Sequence, residues 1–72
     1  MARPTTELSA LIAEIEDHIG SLNRLLDVLD YGLQNARRDK NHGLARAIDT
    51  EIQYTIRQLA QAKARRDTLR RS

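Results

Sequence analysis

Apolar residues recur along the first half of the chain at Leu8, Ile12, Ile15, Ile19, Leu22, Leu26, Leu29, Leu33 and Ala36, an unbroken alternation of four and three residues. That spacing is the heptad signature, in which one stripe of a helix faces a partner helix. In this register Ile12, Ile19, Leu26 and Leu33 take position a, while Leu8, Ile15, Leu22, Leu29 and Ala36 take position d. The stripe keeps its phase through Gly20 and Ser21, so it predicts one long helix that bears a glycine penalty of about 1 kcal/mol at each of Gly20 and Gly32, with Gly20 a weak point and a break after Asp30 as the alternative. Pro4, Thr5 and Thr6 offer a start, with a threonine hydroxyl to cap and Glu7 in the first turn, where the helix dipole favours an anion.

Beyond Ala36 the same register would bury Lys40, Gly43, Ala47, Thr50, Tyr54 and Arg57, which make a poor core. A fresh stripe fits instead: Ala45, Ile48, Ile52, Thr55, Leu59, Ala62 and Leu69, widened by Leu44 and Ile56. The jump in phase predicts a bend between about Asp39 and Leu44. Arg37, Arg38 and Lys40 suit the end of the first helix, and Asn41 and Gly43 tolerate the left-handed backbone that terminates one. The expected fold is therefore all-α, an antiparallel two-helix hairpin with helices over about 5–40 and 44–70. It forms a single domain, 1–72, in which residues 1–4 are loosely ordered.

Such a core is thin. The chain has 72 residues, no Phe, Trp or Cys, and, apart from Met1, large apolar side chains limited to ten Leu, six Ile and Val28 beside two Tyr. At this size one core supplies only a few kcal/mol, and without cysteine neither disulfides nor thiolate zinc sites can supplement it. Folding back near His42 and Gly43 would leave Leu8, Leu11 and Ile12 beyond the reach of the shorter second helix. Leu25 and Val28 would also widen the apolar arc around Leu22, Leu26 and Leu29 past what one helix can cover. Leu8, Leu11, Ile12, Ile15, Ile19, Leu22, Leu25, Val28 and Leu29 are thus the expected dimer or partner interface. A homodimeric four-helix bundle is the simplest closed way to cover them.

The formal charge of +2 hides a strong asymmetry. Residues 1–36 carry two basic and six acidic groups, and residues 37–72 carry ten basic and four acidic ones. In a hairpin the basic end (Lys63, Arg65, Arg66, Arg70, Arg71) would lie against Glu14, Glu16 and Asp17, and so partly neutralise it. The same cations, with Arg37, Arg38 and Lys40 from the bend, are the candidate nucleic-acid contacts, since guanidinium groups chelate phosphate oxygens. Only Tyr31 and Tyr54 could add stacking, and they are expected to face each other across the hairpin.

Other chemistry finds little support. His18 stands four residues after Glu14 and close to Glu16 and Asp17, but this is not the Glu-x-x-His spacing of metal sites in helical bundles. There is no nucleophile with an identifiable base and no glycine-rich phosphate loop, so no catalytic residue, metal, cofactor or small-molecule substrate is expected. No apolar run approaches the roughly 18 residues of a membrane span, and no signal-like stretch opens the chain. A cytoplasmic location without membrane association is expected. The expected architecture is similar, at the level of fold alone, to Rop-type RNA-binding hairpin dimers and to the hairpin co-chaperones of bacterial secretion systems. The leading expectation is a non-enzymatic interaction module: a small homodimeric adaptor, chaperone or regulator that binds a protein partner. The alternative is a small RNA- or DNA-binding regulator that uses the basic C-terminal helix.

Overall fold

The computed structural model describes residues 4–71, with side chains from Glu7 to Arg71. It consists of two α-helices, α1 (Pro4–Arg38) and α2 (His42–Arg71), joined by Asp39, Lys40 and Asn41. The three-residue connection returns the chain alongside itself, and Arg70 near the end of α2 meets Glu16 near the start of α1. The protein is an antiparallel helical hairpin. Of the segment expected to be loose, residues 1–3 lie outside the described residues. Pro4 opens α1, where its fixed φ suits the first helical position. Thr5 and Thr6 fall inside the first turn, and their expected capping lies outside the described side chains.

The bend is built differently from the sequence expectation. The left-handed residue is Lys40, at φ 58°, and Gly43 has no positive φ. The Asn41 N–H donates to the Ala36 carbonyl at 2.8 Å, and the Lys40 N–H to the Arg37 carbonyl at 3.1 Å. This pair of bonds is the Schellman motif, which satisfies carbonyls left over at the end of α1. Asn41 then starts α2: its side-chain Oδ1 accepts from the Leu44 N–H at 3.1 Å, and its carbonyl accepts from the Ala45 N–H at 3.0 Å. Asn41 is thereby committed as an N-cap, a role that needs extended backbone, so the left-handed position falls on the residue before it.

Centring the bend on Lys40 instead of His42–Gly43 shifts the facing register by twice the displacement. Gly32 lies level with Ile48, whose Cδ1 would stand 3.5 Å from a Cβ placed on the glycine. Tyr31 and Tyr54, expected to face one another, are both exposed, and the Tyr54 hydroxyl accepts from Gln58 Nε2 of its own helix. The shift also carries α2 further along α1 than expected. Leu8 and Ile12, expected to lack an intrachain partner, are half-buried, and only Leu11 of that trio remains exposed.

The seam itself follows the heptads. Ile19, Leu22, Leu33, Ala36 and Leu59 are buried, and Ile15, Leu26 and Ala62 pack against the central cluster of Ile19, Leu22 and Leu59. Arg66 fills the slot between Ala62 and Leu69 that the apolar pattern skips, and is half-buried there. Thr55, only 1% exposed, is buried without polar penalty because its hydroxyl donates to the Glu51 carbonyl at 2.8 Å. The result is a rod of 59 × 15 × 13 Å with a radius of gyration of 16.7 Å, against about 11 Å for a compact domain of this length.

Candidate functional site

With α1 and α2 antiparallel, residues preceding position a on each helix (position g) border one side of the seam, and those following d (position e) border the other. In α2, Ala45, Ile52, Leu59 and Arg66 take position a. The g flank therefore carries Leu11, His18, Leu25 and Gly32 from α1 beside Leu44, Glu51, Gln58 and Arg65 from α2. Further out at position c are Glu7, Glu14, Ser21 and Val28, and Ala47, Tyr54 and Gln61. The e flank carries Glu16, Asn23, Asp30 and Arg37 beside Asp49, Ile56, Lys63 and Arg70, with Asp27, Arg46 and Asp67 further out. Arg70 Nη2 meets Glu16 Oε1 at 3.0 Å on the e flank. Their sequence offset from the core register follows from side-chain direction, since both point toward the start of their own helix and so converge across an antiparallel pair.

The two flanks differ in character. Leu11, Leu25, Val28, Leu44 and Tyr54 are exposed on the g flank, Val28 by 67%, whereas Ile56 is the one large exposed apolar residue of the e flank. Charge is distributed the other way, with nine charged side chains at the e and b positions named above and four at g and c.

An open groove of about 380 Å³ runs along the g flank in the half remote from the bend. Ile15 and Ala62 are its half-buried floor. Leu11, Glu14 and His18 wall it from α1, and Gln58, Gln61 and Arg65 from α2. No hydrogen bond or ion pair ties Glu14, His18 or Arg65 to one another among the described residues, whereas Gln58 on the same rim donates to the Tyr54 hydroxyl at 2.9 Å. Such a site offers an apolar slot with a rim of donors and acceptors, suited to receiving a side chain from another surface.

The residues singled out from sequence divide accordingly. Ile19 and Leu22 belong to the hairpin's own core, Leu8, Ile12, Ile15 and Leu29 are half-buried along the seam, and Leu11, Leu25 and Val28 stay on the surface. Tyr54 joins them on the g flank. Its position one turn before Gln58 and two before Gln61 is visible in the second heptad, but the expected pairing with Tyr31 masks its role. Arg37, Arg38, Lys40, Lys63, Arg65, Arg70 and Arg71 are exposed, while Arg66 lies at the seam and pairs with its neighbour Asp67 at 3.1 Å. Arg71 Nε donates to the Asp67 carbonyl at 3.4 Å. Among the described residues the Arg70–Glu16 contact is the one ion pair that crosses the hairpin, so the expected neutralisation of the basic end by Glu14, Glu16 and Asp17 is confined to it. The two basic groups do not merge: Lys63 and Arg37 are separated along the rod by some 20 residues of α2, roughly 30 Å. Among the described residues no helix is long and apolar enough to cross a membrane. No protein-family model, curated protein or solved structure matches the chain.

Proposed function

We propose that the protein is a non-enzymatic helical interaction module, a small adaptor, chaperone or regulator that works by offering its g flank to another helical protein surface within a four-helix arrangement. The observation that carries this reading is the gathering of Leu11, Leu25, Val28, Leu44 and Tyr54 on one flank while the other holds Ile56 alone. Scattered apolar residues on a surface need no explanation, but five large ones along one weakly charged flank that also holds a groove resemble a binding interface. A charge-rich chain without cysteine suits the cytoplasm.

A Leu25→Glu, Val28→Glu double variant tests it. Both side chains are exposed, so helix content by circular dichroism should be unchanged. Self-association in sedimentation and the set of proteins retained in affinity capture should both diminish relative to the wild type. An unchanged sedimentation profile together with an unchanged captured set would sink the reading.

A second reading, a small RNA- or DNA-binding regulator, draws support from the basic groups the hairpin leaves exposed, Lys63 and Arg65 at one end and Arg37, Arg38 and Lys40 at the other. Phosphate binding of this kind weakens steeply with salt. Retention of RNA or DNA at 50 mM salt that collapses by 200 mM would favour it, and no retention at the lower concentration would remove it.

A further inference from the structure

We infer that the occupant of the g flank is a second copy of this chain, packed with its bend at the opposite end, so that the ridge of Leu25, Val28 and Tyr54 on each chain seats in the partner's groove. This rests on the interaction-module reading above and names its partner.

The first ground is the lengthwise asymmetry of the flank. The groove around Ile15, His18 and Ala62 occupies the half remote from the bend. Leu25 and Val28, with Tyr54 level with them in the register set by Gly32 and Ile48, stand up from the half nearer the bend. A twofold axis across the rod exchanges these halves, so ridge meets groove twice. A twofold along the rod would set ridge on ridge and groove on groove, leaving the apolar slot empty.

Charge points the same way. Glu51 lies beside the ridge and Arg65 beside the groove, and neither side chain has an ion pair within the hairpin. The crossed arrangement brings Glu51 next to the partner's Arg65. The parallel one would set the two Glu51 side chains at one level beside the axis, and like charges in apposition are penalised. The crossed axis falls near Ser21 and Gln58, and a glutamine amide carries both donor and acceptor, so it can pair with its own symmetry copy.

Area supplies the third ground. The accessible surface is 5717 Å², where a compact monomer of this mass would expose about 4,500 Å². The excess, on the order of 1,000 Å², is spread along the rod and is large enough to supply the roughly 800 Å² per partner that a standard interface removes.

The absence of cysteine makes the test direct: His42→Cys, exposed at the bend, gives a single thiol for a nitroxide label. With the bends on either side of an axis near Ser21, each about 18 residues away at ~1.5 Å per residue, the dipolar distance should be on the order of 50 Å. In the same preparation, Glu51→Arg and Arg65→Glu should each weaken dimerisation about tenfold in sedimentation, and the two combined should recover it to within about threefold. A dimer with labels closer than about 25 Å, or single variants of unchanged affinity, would overturn the crossed packing and leave the interaction-module reading in place. A folded monomer at micromolar concentration without dipolar coupling would overturn the second copy as occupant. The interaction-module reading would then fail as well only if the Leu25→Glu, Val28→Glu variant still captured the same proteins as the wild type.

Discussion

The two flanks of the seam border the same core, are built on the same two helices and run the same length, yet one is laced with charge and the other carries five exposed large apolar side chains. Folding of the hairpin places its demands on positions a and d, where Ile19, Leu22, Leu33 and Leu59 are buried, and leaves the choice at e and g open. On the e flank that freedom goes to charged and polar residues, including the Arg70–Glu16 contact across the hairpin. On the g flank it goes to Leu11, Leu25 and Val28, which lie outside the buried core and keep much of their surface exposed. Apolar surface that the hairpin's own core does not take up is what the proposed interaction module rests on.

The largest expected effect comes from the seam that both flanks share. Leu22→Ala removes buried volume from the central cluster and should cost about 2–5 kcal/mol. A hairpin of this size holds only a few kcal/mol in reserve, so thermal unfolding followed by circular dichroism should show most of the helix lost near room temperature. Full helix content in that variant would mean that the cluster is not the core. Next in size is the contrast between the flanks: Val28→Glu should weaken self-association at least tenfold, about 1.4 kcal/mol, while Ile56→Glu on the charged flank should change it by less than about threefold. Equal effects would erase the distinction between them.

The bend decides which residues reach each flank, and smaller changes test it. Asn41→Ala removes the side-chain acceptor of the Leu44 N–H and should cost about 1 kcal/mol in chemical denaturation. Lys40→Gly relieves a left-handed non-glycine residue and should raise the denaturation midpoint by an equivalent of up to about 1 kcal/mol. A loss of stability there would place the left-handed residue elsewhere. Smallest of all, Glu16→Gln should change stability by less than about 1 kcal/mol, because both ends of its ion pair with Arg70 are about half exposed.

Much of the fold was legible in the residue pattern because a heptad is a one-dimensional record of a three-dimensional seam. The stripe from Leu8 to Ala36 and the fresh stripe from Ala45 correspond to the buried and half-buried positions of α1 and α2. The bend was legible only in outline. Intrinsic preference ranks Gly43 and Asn41 above Lys40 for left-handed backbone, but capping α2 commits Asn41 to another conformation, and the strain passes to Lys40. That displacement of about two residues was enough to misplace Tyr54 and to leave Leu8 and Ile12 wrongly uncovered.

By itself the sequence determined that the chain is helical, that it breaks into two helices, and which stripe of each turns inward, since these follow from local propensity and from apolar spacing along a single helix. Only the tertiary structure decided the register between the helices, and with it which exposed residues stand together. Register is set by the hydrogen bonds of three loop residues and by side-chain fit across the seam, and neither is periodic in sequence. The groove beside Ile15 and Ala62, the ridge of Leu25 and Val28, and the solitary Arg70–Glu16 bridge all follow from that register.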